Sequence, residues 1–148
     1  MNMRIAVLAV ALPMAICAQN SEAELFAGTW KLNVAKSRYD PGPPPKSETV
    51  TISSDGKVDV VSIDSAGKRI EWSVVLKNGV TSPVNGLNAK VTHKQLNDHT
   101  TVDDWNFGDF SQVGKALLST NGKVITYDLS GRDASGRAVQ NVEIFDRQ

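Results

Sequence analysis

The sequence predicts an all-β fold, an antiparallel up-and-down meander of about eight or nine strands that closes into a barrel. Turn signals rich in Gly, Asn and Asp recur at short intervals, and these residue types tolerate the positive φ angles of tight hairpin turns. Short runs rich in Val, Ile, Thr and Trp lie between the turns and favour strands. No long stretch shows helical periodicity. The turn signals are Asp55-Gly56-Lys57, Ala66-Gly67-Lys68, Asn78-Gly79, Asn97-Asp98, Asn121-Gly122-Lys123 and Ser135-Gly136-Arg137.

The first 18 residues differ from the rest of the chain and predict a secretory signal peptide. A short basic start, Met1–Arg4, precedes the apolar run Ile5–Ile16, and Ala18 is a small residue before a cleavage point at Gln19. The run is shorter than the ~20 apolar residues that span a bilayer. We therefore expect an exported protein, secreted or periplasmic, in which residues 19–148 form one barrel domain.

The composition of this predicted domain argues against several function classes. Its formal net charge is −1, because the whole chain has net charge zero and the predicted signal peptide contains one arginine and no acid. Such a charge predicts neither nucleic-acid binding nor attraction to an anionic membrane, and we expect no membrane insertion. Cys17 is the only cysteine and falls within the predicted signal peptide, so the domain has no disulfide and no thiolate metal ligand. A lipid anchor at Cys17 is the alternative, although Ile16 is bulky for such processing.

The elements before the hairpins are irregular. Ser21–Phe26 predicts one helical turn, and Ala27–Leu32 predicts the first strand. Asn33–Tyr39 predicts a short helix or an irregular loop. The proline-rich Asp40–Lys46 is incompatible with a sheet or helix interior and predicts a stiff, extended connection. The remaining strands are predicted at Ser47–Ser53, Lys57–Asp64, Lys68–Lys77, Leu87–Leu96, His99–Phe107, Ser111–Ser119, Lys123–Ser130 and Arg137–Asp146.

The hairpins predict which side chains face the barrel interior. Two-residue turns at Asp55-Gly56 and at Ala66-Gly67 place one set on a common apolar face: Val50, Ile52, Val61, Ile63, Ile70, Trp72, Val74 and Leu76. In the last hairpin, the same argument groups Ile125, Tyr127 and Leu129 with Val142 and Ile144. Each strand then has one wet face, which suits a closed barrel with its core inside.

Asp59 interrupts this predicted apolar face. A lone buried carboxylate is costly, so Asp59 is either a polar anchor inside a ligand cavity or a residue at a bulge or rim in contact with water. Trp72 and Tyr127 point inward by the same reasoning and would line such a cavity with it. Alternatively, these aromatic side chains simply fill the barrel, since about eight strands enclose space for side chains or one small ligand.

The start of the first strand resembles the Gly-x-Trp signature of lipocalin and calycin barrels. The residues that carry this resemblance are Gly28-Thr29-Trp30. A further similarity, to small exported bacterial lipocalin-like proteins of unknown function, is carried by the wider stretch to Asn33, the Pro-rich segment and the Ser135-Gly136-Arg137 hairpin. The resemblance implies that Trp30 is a structural plug at the closed end of the barrel and that Gly28 permits close passage beside it. It also implies an Arg packed on the plug, for which Arg132 and Arg147 are the candidates.

No constellation for catalysis or metal binding is predicted, and we expect no enzyme activity and no cofactor. A two-residue turn at Asn97-Asp98 sends His93 and His99 to opposite faces, which disfavours a shared metal site. Glu71 and Glu143 are predicted on wet faces, where they would not form a paired-carboxylate site. The acidic cluster Asp98, Asp103, Asp104 and Asp109 lacks the spacing of a calcium loop and predicts a solvated loop.

Two functions remain after these exclusions. The first is an exported barrel that binds a small apolar or amphipathic ligand, because inward aromatic side chains with a few polar groups are typical of a ligand pocket. The alternative is a secreted protein-interaction module with a filled core, using the Pro-rich loop and the Trp105–Phe110 segment. The sequence identifies no particular protein partner.

Overall fold

A computed structural model describes residues 22–148, with side chains from Ala23 onward; the predicted signal peptide lies outside the described residues. A short helix and ten strands form the fold, with a 3-10 turn at Val34–Lys36. The helix α1 is Glu22–Phe26, and the strands are β1 Gly28–Leu32, β2 Ser47–Ile52, β3 Lys57–Ile63, β4 Arg69–Val75, β5 Thr81–Pro83, β6 Lys90–Asn97, β7 Thr100–Asn106, β8 Ser111–Leu118, β9 Val124–Arg132 and β10 Ala138–Arg147.

All ten strands belong to one antiparallel sheet that is nearly closed into a barrel. The order is β4-β3-β2-β1-β10-β9-β8-β7-β6-β5, so the chain runs up and down and the first and last strands pair. The two edges meet at Ser73 and Asn85, which exchange backbone hydrogen bonds of 2.9 and 2.8 Å. The predicted all-β barrel is confirmed, with one more strand than the sequence predicted. The additional strand, β5, is short and contains Pro83, which hides it from a strand pattern.

The predicted register of β3 is wrong by one residue at both of its hairpins. The loops hold three residues, because Ser53 N–H bonds to Lys57 O and Asp64 N–H bonds to Lys68 O, each at 2.9 Å. Gly56 and Gly67 take positive φ angles of 87° and 92° at the last loop position, which a three-residue loop with a bulge requires. Val50 therefore pairs with Val60 rather than with Val61.

These two errors reverse the predicted inward and outward faces of β3, but together they cancel for β4. Val58, Val60 and Ser62 are buried, whereas the predicted inward residues Val61 and Ile63 alternate with them and face outward. The inward placement of β2 and β4 is correct, since Val60 pairs with both Val50 and Trp72. On β4, the inward set is Ile70, Trp72 and Val74.

The last hairpin contains the same error. Asp133 N–H bonds to Arg137 O at 2.9 Å, which leaves a three-residue loop. Tyr127 consequently pairs with Glu143, and Ile125 pairs with Phe145. The inward residues of β10 are thus Glu143 and Phe145, and the prediction that Val142 and Ile144 share their face with Tyr127 is wrong.

After β1, the chain continues beside β10 and forms backbone hydrogen bonds with the part of β10 that β1 does not cover. Asn33 N–H bonds to Ile144 O at 2.7 Å, and Arg38 and Val142 exchange two backbone bonds of 2.8 Å. Tyr39 follows and packs against the buried cluster that includes Trp30. The Pro-rich residues 41–45 belong to neither helix nor strand, as predicted.

Two groups of buried apolar side chains occupy different regions of the barrel. One surrounds Trp30 and includes Phe26, Leu32, Ala116, Leu118, Ile125 and Phe145. The other joins β3, β4 and β6 through Val58, Val60, Val74, Val84 and Val91. Members of both groups line a common internal space.

Candidate functional site

The barrel contains a cavity of about 490 Å³. This volume lies within the ~300–1,000 Å³ range of small-molecule sites. Apolar side chains from β2, β3, β4, β7, β9 and β10 form most of its wall, among them Val50, Ile52, Val58, Val60, Trp72, Val74, Leu76, Trp105, Ile125, Leu129 and Phe145. The interior is therefore hollow, which favours the ligand-binding interpretation over the filled-core one.

Trp72 and Tyr127 both line the cavity, so their predicted inward orientation is confirmed. Trp72 contacts Trp105 edge to face, with ring centroids 5.4 Å apart. The rings of Trp105 and Phe107 stack at 6.1 Å, and those of Phe107 and Phe110 stack at 4.6 Å. This aromatic series extends from the cavity wall to the loop between β7 and β8. A role for Trp72 and Tyr127 in binding a ligand stays a prediction.

A chain of hydrogen bonds crosses the wall beside Tyr127. Trp105 Nε1 donates to the Tyr127 hydroxyl at 2.9 Å, and this hydroxyl donates to Asp103 Oδ2 at 3.2 Å. The other oxygen of Asp103 lies 2.6 Å from His93 Nδ1. Burial and the nearby Asp103 carboxyl raise the pKa of Tyr127 well above its ordinary value, so the phenol keeps its proton. The expectation that Asp103 belongs to a solvated loop is wrong, because it lies within β7 and is buried.

Gly114 provides the space that Tyr127 occupies. A Cβ atom at this position on β8 would collide with the Tyr127 hydroxyl and ring. The φ angle of Gly114 is not positive, so the glycine is explained by this close approach rather than by backbone conformation. The contact positions the phenol between Trp105 and Asp103.

A second polar group consists of Glu48, Glu143 and Tyr39. Glu48 and Glu143 both line the cavity, from β2 and β10 respectively. Burial, followed by the effect of nearby Glu143, raises the pKa of Glu48 to about 8. Burial raises the pKa of Glu143 to about 7, although Asn141 and the Tyr39 hydroxyl lie within hydrogen-bonding reach and oppose the increase. Burial beside these two carboxyl groups also raises the pKa of Tyr39.

The sequence prediction missed both glutamates for identifiable reasons. Glu48 precedes Val50 and Ile52 in strict alternation, and this spacing alone places it on the inward face. A two-residue turn in the last hairpin predicts that Glu143 faces outward, whereas the observed three-residue loop pairs it with the inward-facing Tyr127. The prediction that Glu71 lies on the wet face is confirmed, since it is exposed and its Oε1 accepts from Arg69 Nε at 2.6 Å.

Asp59 lies on the outer face of the barrel and does not line the cavity. Its carboxylate is 3.1 Å from Lys57 Nζ, and the two side chains are 47% and 52% exposed. The one-residue correction of β3 accounts for this position. The proposed grouping of Asp59 with Trp72 and Tyr127 around a ligand is therefore wrong.

Trp30 is fully buried beside Phe26, whose carbonyl oxygen accepts a 2.9 Å bond from Trp30 Nε1. The Arg147 guanidinium carbon lies 4.1 Å from the centre of the Trp30 ring. Arg147 also donates to the carbonyl oxygens of Leu25 and Gly122 at 2.9 and 2.6 Å. Gly28 has φ +141°, and a Cβ there would lie 2.5 Å from the Arg147 guanidinium. These contacts tie α1, β1 and β10 together at this end of the barrel.

Of the two predicted arginines, Arg147 is the one that packs on Trp30. Arg132 instead donates to Gly136 O at 2.8 Å within the last hairpin. No helix among residues 22–148 is long and apolar enough to cross a membrane. Within the same range, no cluster of three or more His, Asp or Glu side chains could hold a metal ion.

Structural comparison relates the chain to a fatty acid binding protein of Schistosoma mansoni in complex with arachidonic acid. The TM-score is 0.58 at 13% sequence identity, and the alignment covers 86% of this chain and 98% of the other. The two chains share an antiparallel β-barrel fold. The sequence matches no family model, and comparison with curated proteins gives no match. At this identity the likeness concerns the fold alone.

Proposed function

We propose that this protein is an exported barrel that binds or carries a small apolar or amphipathic molecule in its internal cavity. The observation that carries the proposal is the cavity of about 490 Å³ with a mainly apolar wall. The schistosome protein of the same fold was solved with arachidonic acid, which supports a ligand with a long apolar part. Burial of about ten methylene groups in such a wall would contribute roughly 8 kcal/mol before the cost of immobilising the ligand.

Export is proposed from the sequence of residues 1–18, with its basic start, apolar run and small residue before Gln19. Intact mass and fractionation of cells that express the whole chain test it. A mature species that begins at Gln19 and is found outside the cytoplasm supports export. A lipid-modified species that begins at Cys17 supports the anchored alternative, and an uncleaved chain contradicts both.

Native mass spectrometry of protein purified from its own source tests ligand binding. An extra mass that is lost on denaturation is expected, and its value identifies the ligand. Trp72→Ala should reduce retention of that mass at least tenfold, because it removes a large part of the cavity wall. Asp59→Ala is the matched control on the outer face and should leave retention unchanged.

A second measurement separates the ligand carrier from the alternative. Titration with small amphiphiles should change the tryptophan fluorescence, because Trp72 and Trp105 both line the cavity. The change should saturate at one molecule per barrel. Absence of any bound mass together with absence of any fluorescence change would overturn the proposal.

A further inference from the structure

The ionisable groups that line the cavity are mostly acidic. Glu48, Asp103 and Glu143 contribute carboxyl groups to the wall, and among residues 22–148 no lysine or arginine lines it. His93 also lines the cavity, but its Nδ1 is already directed at Asp103 Oδ1, 2.6 Å away. The nearby cation Arg147 is held on Trp30 and on main-chain carbonyl groups.

The three acids differ in how their oxygens are used. Both oxygens of Asp103 have partners, one from His93 and one from Tyr127. Glu143 has Tyr39 and Asn141 within reach. Glu48 makes no hydrogen bond or ion pair with any side chain of the described part of the chain, and its strongest charge interaction is with Glu143, another acid. Glu48 and Glu143 are therefore the two acids with capacity for a ligand group.

The barrel places these two acids at the edge of the apolar space. Glu48 shares a strand face with Val50 and Ile52, and Glu143 shares one with Phe145, all of which line the same cavity. A ligand with its polar end at the two carboxyl groups could thus keep its apolar part against the adjoining wall. The cavity thus offers two acidic side chains at one place and an apolar wall next to them.

Charge determines which polar end is compatible with this place. A buried charge must be paired, and this place offers a ligand carboxylate no cation, because among residues 22–148 no lysine or arginine lines the wall and the two neighbouring ionisable groups are themselves acids. A protonated amine presents three donors and no acceptor, so it complements carboxylate oxygens and can neutralise them. The raised pKa values of both glutamates are the expected property of acids that lack such a cation.

We infer that the cavity selects amphiphiles with a protonated amine, whose headgroup binds between Glu48 and Glu143 while the hydrocarbon chain occupies the apolar wall. This inference rests on the proposed function, since it assumes that the cavity binds a ligand. It distinguishes the chain from a carrier of fatty acids as carboxylates.

Three probes of equal chain length test the inference: dodecylamine, dodecanol and dodecanoic acid, each titrated at pH 7.5 by calorimetry and tryptophan fluorescence. We expect dodecylamine to bind at least tenfold more tightly than the other two. Glu48→Gln and Glu143→Gln should each weaken dodecylamine at least tenfold and leave dodecanol within about twofold. Glu71→Gln, an exposed acid on the outer face, is the matched control for attraction of a cation to the surface, and it should change none of the affinities.

The outcomes separate the inference from the function on which it rests. If the acid or the alcohol binds as tightly as the amine, or if both glutamine variants retain full affinity for the amine, the inference is overturned and the carrier function survives. If none of the three probes binds, the proposed function fails as well. Circular dichroism of each variant establishes that a lost affinity does not arise from unfolding.

Discussion

Replacing Glu143 by glutamine should make the protein more stable at alkaline pH and leave it nearly unchanged at acidic pH. In the folded barrel the pKa of Glu143 is raised from its ordinary value of 4.5 to about 7, and that of Glu48 to about 8. Between pH 4.5 and pH 8 the folded state therefore holds protons that the unfolded chain has released. Stability is fully present below pH 4.5 and falls as the pH rises through these folded-state values.

The magnitude follows from the size of the shift. One pKa unit corresponds to ~1.4 kcal/mol, so ionising Glu143 inside the barrel costs roughly 3 kcal/mol of the free energy of unfolding. Glutamine has nearly the same shape but no charge, so Glu143→Gln should recover about that amount at pH 8. Some additional gain is expected because the Glu143 charge is one cause of the raised pKa of Glu48.

Urea unfolding monitored by tryptophan fluorescence measures the effect, with wild type and Glu143→Gln compared at pH 4.5, 6 and 8. Glu71→Gln is the control, since its carboxylate is exposed beside Arg69. The difference between wild type and Glu143→Gln should grow with pH, whereas the control should show a constant difference. Equal pH dependence of wild type and Glu143→Gln would refute the conclusion that this acid is buried without a compensating cation.

Three further substitutions test other parts of the structure. Gly114→Ala should lower the free energy of unfolding by about 1–3 kcal/mol, since its methyl group collides with Tyr127; unchanged urea midpoints would contradict the close approach. Arg147→Leu should lower it by about 2–4 kcal/mol, because the cation above Trp30 and several bonds to carbonyl groups are lost; an unchanged melting temperature would contradict this role. Asp59→Ala should change stability by less than about 0.5–1 kcal/mol, because its ion pair is exposed; a large loss in a melting experiment would place this carboxylate elsewhere.

The fold could be predicted because its signals are local. Turn residues and strand-forming runs alternate along the chain, and each hairpin contributes independent evidence for an antiparallel meander. The sequence also suffices to predict that Trp72 and Val74 share a face and that Arg147 is a candidate to pack on Trp30. The first needs only alternation within a strand, and the second is implied by the resemblance carried by Gly28-Thr29-Trp30.

The site was harder to predict, because it depends on loop lengths that glycine does not determine. A glycine with positive φ suits both a two-residue turn and the last position of a three-residue loop. Gly56, Gly67 and Gly136 all take the second role here, with φ of 87°, 92° and 80°. A single added loop residue leaves the number and order of strands intact and inverts the faces of the next strand.

The predicted orientation of a site residue is correct when an even number of these loop errors precedes it, and it is reversed when the number is odd. Trp72 lies beyond two hairpins that were each wrong by one residue, so its inward orientation was predicted correctly although the strand before it was inverted. Asp59 and Glu143 each lie beyond an odd number of such errors, and they exchanged faces: the acid expected inside is outside, and the acid expected outside lines the cavity.

The exchange changes the chemistry that the interior offers a ligand. The predicted wall, with a single carboxylate among aromatic rings, becomes a wall with two acids, Glu48 and Glu143, of which Glu143 contributes to the raised pKa of Glu48. In a barrel of this kind, the charge of the ligand that fits inside therefore depends on the length of the loops that connect its strands.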